Sequence, residues 1–382
     1  MNCIKSDKII VGEQLFDGYV YFADGRIIDV TQERRKADVF YDFTGRYVSP
    51  GFVETHTHGA AGSGFYKTEA EGIARACNYH LQHGATTILP TISACPHADT
   101  LQSIAHFLEA RENGMILSNA PGVHIEGPYL NAAQCGGQRS EFITSPIQKD
   151  YEEIMTRFGD CVKRWTYAPE FDEDGVFCRY ITARGVIASA GHTNAKYEHM
   201  CTAIENGCHL VTHLYSCTST VTRDHGFRSL GVIESTYLRD DLIAELIADG
   251  KHLPPDLIRM ILKIKGSDRI ILTTDSCDFT GVDQTVVKTA SRNYIIEDGV
   301  AKLPDRSAFI GSIATCDRLI RTLTQECGVG LLESVKMLTK NPAQLLGLKK
   351  GLLVKDYDAD MIVFDEGIHV SDVFVGGQKI TF

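Results

Sequence analysis

Eight short apolar runs, each followed by a stretch of helical character or a long connection, constrain this fold more than any other feature. They are Phe52-Val53-Glu54-Thr55-His56, Ala85-Thr86-Thr87-Ile88-Leu89, Val123-His124-Ile125-Glu126, Arg164-Trp165-Thr166-Tyr167, Val186-Ile187-Ala188-Ser189-Ala190, His209-Leu210-Val211-Thr212-His213, residues 242–247, and Ile270-Ile271-Leu272-Thr273-Thr274-Asp275. Helices are expected over 69–83, 99–112, 146–158, 175–184, 197–206 and 256–263. Near-continuous apolar strands alternating with helices indicate a parallel sheet covered on both faces, and eight such units suggest closure into a barrel. An open doubly wound sheet competes, but it brings a glycine-rich phosphate fingerprint after its first strand. Gly59-Ala60-Ala61-Gly62-Ser63-Gly64 has the glycines without that spacing.

The two chain ends read differently. Ile9-Ile10-Val11, Gly18-Tyr19-Val20-Tyr21-Phe22 and Arg26-Ile27-Ile28 are short strands, with Ala23-Asp24-Gly25-Arg26 as a hairpin turn. Asp360-Met361-Ile362-Val363-Phe364 and Asp372-Val373-Phe374-Val375 return to the same pattern. The expected fold class is therefore α/β: a (β/α)8, TIM-like barrel over residues 50–346, with a small β-sandwich domain formed from 1–49 and 347–382. Residues 276–308 are expected to lack regular structure, and helices to follow over 314–326 and 331–346.

A formal charge of −11, from 49 acids against 38 Lys and Arg, argues against nucleic acid or an anionic membrane as partner. No run has transmembrane length, the first residues lack a signal-peptide apolar region, and the 12 cysteines form no Cys-x-x-Cys. A reducing cytoplasm with free thiols is expected.

Histidines and carboxylates accumulate where the strands end. Residues two apart share a strand face, so His56 and His58 aim two imidazoles at one point. Glu126 closes the third strand, His192 follows the fifth, His213 ends the sixth, His252 lies just past the seventh, and Asp275 ends the eighth. In a barrel these ends converge on one mouth. Such a set suits a divalent metal: zinc, iron or manganese. Singly each has an ordinary explanation, a His-x-His pair as polar strand residues or Asp275 as a helix cap. Agreement among strand ends is what favours a site. His80, His83, His97, His106, His199 and His369 are expected at the surface, His209 at the wrong end of its strand, and His124 one layer below Glu126.

Pro50-Gly51-Phe52-Val53-Glu54-Thr55-His56-Thr57-His58-Gly59, Gly122-Val123-His124-Ile125-Glu126-Gly127-Pro128, Ala190-Gly191-His192-Thr193, Thr212-His213-Leu214-Tyr215 and Ala248-Asp249-Gly250-Lys251-His252 resemble the amidohydrolase superfamily. Within it they are similar to the deacetylases of phosphorylated N-acetyl amino sugars. The resemblance implies a metal-dependent hydrolase that removes acetyl from an N-acetylhexosamine 6-phosphate, the gluco sugar first, in amino sugar catabolism. The rivals are the galacto epimer, another N-acyl substrate, or a non-catalytic sugar-phosphate binder. It also implies that Glu126, His192 and His213 are the main metal ligands. His56 and His58 match a pair that holds a second ion in some members, giving one or two ions per chain. Asp275 would be the catalytic base and then acid, and His252 would contact substrate and stabilise the oxyanion. Arg223, with Arg228 as rival, would reach the sugar phosphate from the neighbouring subunit of a homodimer. Two departures stand out: Gly136-Gly137-Gln138 where the family usually has a histidine, and Ser216-Cys217-Thr218 where it usually has Asn-Ala-Met. Both positions line the family's sugar site, so Gln138, Ser216 and Cys217 are expected to bind substrate and alter hexosamine choice.

Overall fold

The computed structural model describes residues 1–283, 286–288 and 293–382. Eight parallel strands form one sheet in strict chain order: Phe52–Thr57, Ala85–Ile92, Val123–Glu126, Val162–Tyr167, Ile187–Ala190, Leu210–Val211, Ile243–Ile247 and Ile270–Thr273. The C-terminal end of the first strand meets the residues just past the last, where Asp275 N donates to His56 O (3.0 Å) and His58 N to Ser276 O (2.8 Å). The result is a nearly closed (β/α)8 barrel, as the eight runs imply.

Helix Pro255–Lys265 shows how the covering layer is specified. Proline starts it, and Asp256 in its first turn and Lys263 in its last complement the helix dipole, while Lys265 Nζ donates to Thr236 O (2.7 Å) and Arg239 O (2.6 Å). Gly266 then ends it at φ 74°, a conformation that disfavours a side chain. Its apolar stripe, Ile258 and Ile261, faces the sheet.

Alternation along the strands divides the barrel into two cores. Outward residues such as Ile125, Trp165, Ala188 and Ala244 join the helices in the large hydrophobic cluster. Inward residues are polar: His124, Arg164, Thr166, Ser189 and Glu245, all at most 1% exposed. They are joined by hydrogen bonds. Arg164 Nη2 donates to Glu245 Oε1 (3.0 Å) and Thr212 Oγ1 (2.9 Å), and His124 Nε2 lies 2.8 Å from Thr166 Oγ1. The barrel interior is thus a rigid polar pedestal beneath the mouth.

Both termini build a second, branched sheet. Gln378–Ile380, Val370–Val375, Met361–Phe364, Tyr47–Pro50, Asn2–Val11, Gln14–Ala23 and Arg26–Thr31 lie side by side, and Val39–Asp42 adds to Asn2–Val11. Ile4, Val20, Phe22, Val48, Met361 and Phe374 form its core. The Asp24-Gly25 turn has φ of 51° and 76°, the two-residue hairpin geometry its sequence suggests.

Four expectations need correction. The 276–308 stretch is not irregular: Val286–Lys288, Asn293–Glu297 and Val300–Lys302 form an antiparallel sheet with the following strand Phe309–Ser312, while residues 284–285 and 289–292 of that stretch lie outside the described residues. The helix expected over 331–346 is two, Leu331–Leu338 and Lys340–Leu345, broken at Thr339 (φ −127°, ψ −81°). The helix expected over 314–326 shortens to Cys316–Arg321 and widens into a π turn over Thr322–Glu326. His80 is fully buried, its Nε2 3.0 Å from Thr57 Oγ1, because it lies on the same helical stripe as Ile73, Cys77 and Leu81.

Candidate active site

The barrel mouth opens into a cavity of 730 Å³. His58, Glu126, His192, His213, His252 and Asp275 line it, and His56 lies fully buried beneath. Three of these residues have the left-handed backbone that side chains rarely adopt: His192 (φ 48°), His213 (φ 30°) and Asp275 (φ 43°). Such strain persists only where the surroundings enforce it, and it clusters at functional sites.

Glu126 bridges two groups of donors. His192 Nε2 and His213 Nε2 lie 3.1 and 3.0 Å from its Oε1 and 3.2 Å from each other. On the other side, His58 Nε2 is 3.0 Å from Glu126 Oε2, and His56 Nε2 is 3.3 Å from His58 Nε2. Asp275 Oδ1 stands 3.4 and 3.3 Å from those two nitrogens.

Both groups fit a metal ion. Donors at zinc-like bond lengths of ~2.0–2.1 Å in a tetrahedron stand about 3.3 Å apart, close to these spacings. The far ring nitrogens have other partners, and an acceptor-only partner holds the proton on Nδ1 in His192, His213 and His56. His192 Nδ1 meets Gln134 O (2.8 Å), His213 Nδ1 meets Ser216 O (3.1 Å), His58 Nδ1 meets Ser93 Oγ (2.9 Å), and His56 Nδ1 meets Glu245 Oε1 (2.9 Å). Once the Nε2 proton is displaced, each Nε2 offers a lone pair to an ion held beside the carboxylate oxygens. Ring nitrogens and carboxylate oxygens converging in a buried site need positive charge among them, supplied by an ion or by protons on the imidazoles.

The electrostatics agree. Burial pulls the histidine cations down, yet neighbouring carboxylates outweigh it. Glu126, Asp275 and Glu245 push His56 up to about 10, and Asp275 and Glu126 push His58 up to about 9. Conversely burial raises Glu126 and Asp275, but the histidines hold both below the usual carboxylate range.

The remaining expected residues separate. His252 Nδ1 is 2.8 Å from Asp249 Oδ2 and its ring rests on Phe309, centroids 4.9 Å apart. Ser216 and Cys217 line the cavity. Gln138 lines it too, but both ends of its amide are engaged: Nε2 donates to Glu126 Oε2 (2.5 Å) and Oε1 accepts from Ala94 N (2.9 Å). Arg223 and Arg228 are exposed on the hairpin Thr222–Asp224 / Phe227–Ser229, directly opposite one another, and neither lines this chain's cavity. Sequence reading missed Arg164 and Glu245 under the site, though an isolated charge inside an apolar strand was a visible signal. It also missed Arg139 and Asp278 on the cavity wall.

The profile of the amidohydrolase family matches residues 47–380. The N-acetylglucosamine-6-phosphate deacetylase of Lysinibacillus sphaericus is 30% identical over 368 residues, covering 94% of this chain and 92% of the relative. That of Bacillus subtilis is 27% identical over 96% of this chain and 94% of its own. Among solved structures, N-acetyl-D-glucosamine-6-phosphate deacetylase from Mycobacterium smegmatis superposes with a TM-score of 0.92 at 27% identity, covering 100% of both chains. A mutant of that enzyme, solved in complex with N-acetyl-D-glucosamine-6-phosphate, gives a TM-score of 0.90 at 27% identity over 99% of this chain and 98% of that one.

Proposed function

The chain belongs to the amidohydrolase family, and on that premise we propose that it removes the acetyl group from N-acetylglucosamine 6-phosphate, giving glucosamine 6-phosphate and acetate. The observation that carries this reading is the pair of donor groups sharing Glu126 at the barrel mouth, with the Asp275 carboxylate beside them. Glu126, His192 and His213 would hold one divalent ion, and His56, His58 and Glu126 a second. Zinc, iron and manganese all suit such nitrogen and oxygen donors. An ion there would act as a Lewis acid for the acetyl carbonyl and lower the pKa of water toward ~7.

Asp275 would move the proton. Its backbone is pinned on both sides, N to His56 O (3.0 Å) and O to Ser312 N (2.8 Å), so its carboxylate is held in one place at the cavity floor. It takes a proton from the attacking water and returns it to the departing amine. Asp249 holds the His252 ring by Nδ1, which leaves the opposite edge for the substrate oxygen that gains charge.

The phosphate reading draws on Arg223 and Arg228. Like charges directly opposite on a hairpin destabilise it, and a dianion between them reverses that. In a homodimer the hairpin would deliver them to the partner's cavity, and Phe227, 80% exposed on the same hairpin, would be covered. All twelve cysteines are free, which supports a reducing cytoplasm, and among the described residues no helix is long and apolar enough to cross a membrane.

The test is amine release by metal-loaded protein from N-acetylglucosamine with and without the 6-phosphate, and from the galacto epimer. Turnover restricted to the phosphorylated sugars supports the proposal. No amine release from any of them, with metal bound, sinks it.

A further inference from the structure

Most polar side chains on the cavity wall are engaged by the protein itself. Glu126, His58, His192 and His213 face one another, Gln138 holds Glu126, and Ser93 holds His58. Thr91 Oγ1 takes Thr57 N and His124, and Tyr66 and Lys67 both hold Asp99. Asp278 differs. It lines the same cavity, is half-buried, and among the described residues its carboxylate has no hydrogen-bond or ion-pair partner from another residue.

We propose that Asp278 is a specificity-determining residue, accepting hydrogen bonds from ring hydroxyls of the sugar while the acetamide sits at the Glu126 donor groups. This rests on the deacetylase reading and names the group that reads the sugar within it. Asp278 stands on a fixed wall. Gly62 N donates to Asp278 O (2.8 Å) and Ala61 N to Thr280 O (2.8 Å), which staples the loop after the last barrel strand to the loop after the first. Cys277 and Phe279 on either side are buried. Burial pushes the carboxyl up to about 6, against the weaker pull of its own backbone N–H and of His58, which leaves room for a partner brought by a ligand.

The chemistry selects the partner. An ionised carboxylate only accepts hydrogen bonds, and its two oxygens suit two adjacent hydroxyls. It repels a phosphate, and the substrate carries no cation before the amide is cut. Hydroxyls are the donors left on such a molecule besides the amide N–H, which belongs at the reacting centre.

The test compares wild type with Asp278→Ala and Asp278→Asn, with metal content and melting temperature matched. The substrates are N-acetylglucosamine 6-phosphate, its galacto epimer, and N-acetylethanolamine phosphate, which lacks ring hydroxyls; if the last is not turned over, its inhibition constant is read instead. For the alanine variant, kcat/KM on the preferred sugar should fall ~10–100-fold, the worth of a hydrogen bond to a charged group. The preference between epimers should shrink, and the hydroxyl-free compound should change less than ~3-fold. The asparagine variant should lie between. Equal losses on all three compounds, or none on the sugars, would overturn the assignment. Wild-type protein that turns over neither sugar overturns the deacetylase reading and this one together.

Discussion

Glu245 Oε1 lies 2.9 Å from His56 Nδ1 and 3.1 Å from the backbone N of His213, so one buried oxygen touches both donor groups. Arg164 holds the same carboxylate from below through both guanidinium ends. Partners of this kind orient a metal-binding imidazole and raise its basicity, and removing them commonly weakens metal binding ~10–100-fold. Glu245→Gln is therefore expected to lower occupancy of the His56–His58 group more than that of the His192–His213 group. Metal titration with elemental analysis of the metal-free protein checks this, two binding steps of unchanged affinity being the contrary result.

The Arg164–Glu245 pair, 1% and 0% exposed, also bears on stability. Arg164→Met removes the main cation from a buried carboxylate and leaves only His56 and the His213 N–H, which should destabilise by up to ~3–5 kcal/mol. Replacing both residues with apolar side chains of similar volume should recover much of that loss. Denaturant unfolding of the single and double variants measures the difference.

Asp275→Asn keeps the shape of the side chain but removes its ability to take a proton. Turnover should fall at least ~100-fold, the low end for acid–base catalysis, with substrate affinity little changed. Near-normal kcat would move the base to another group, with His252 next in line.

How far these groups could be read in advance depended on where they lie. Glu126, His192, His213 and Asp275 were legible because strand ends converge wherever a barrel closes, so position along the chain gave position in space. His80 was misplaced by counting it among surface helix residues, although its spacing from Ile73 and Cys77 marks the buried stripe. The sheet between Val286 and Ser312 also left a signal: Asp298-Gly299 has φ of 55° and 83°, the same hairpin turn as Asp24-Gly25. Asp278 left no such mark. Its place on the cavity wall depends on a loop being stapled to Ala61 and Gly62, more than two hundred residues away, and local pattern carries no trace of that.

Metal uptake should release protons. Without an ion, carboxylates push His56 up to about 10 and His58 up to about 9, so both are protonated at neutral pH. An incoming cation must displace those protons, and apparent affinity should therefore climb as pH rises toward those values. Calorimetry in buffers of different ionisation enthalpy reads the protons directly. Binding that is independent of pH and buffer would show that the histidines are already neutral.

Gln138 provides the last expectation, because the sequence placed it among the sugar-reading groups. Each end of its amide already has a partner: Nε2 donates to Glu126 Oε2 at 2.5 Å and Oε1 accepts from Ala94 N at 2.9 Å. A side chain with both ends engaged can orient the bridging carboxylate but has little left to tell one hydroxyl from another. Gln138→Ala should therefore weaken metal binding, by ~10-fold if Gln138 acts like other outer partners of a metal site. The ratio of kcat/KM between gluco and galacto substrates should move by less than ~3-fold. A site that reads a hydroxyl through a buried polar group loses far more when that group goes, on the order of 100-fold or above. A change of that size in the epimer ratio, with metal content held constant, would return the sugar to Gln138 and require its bond to Glu126 to open when substrate binds.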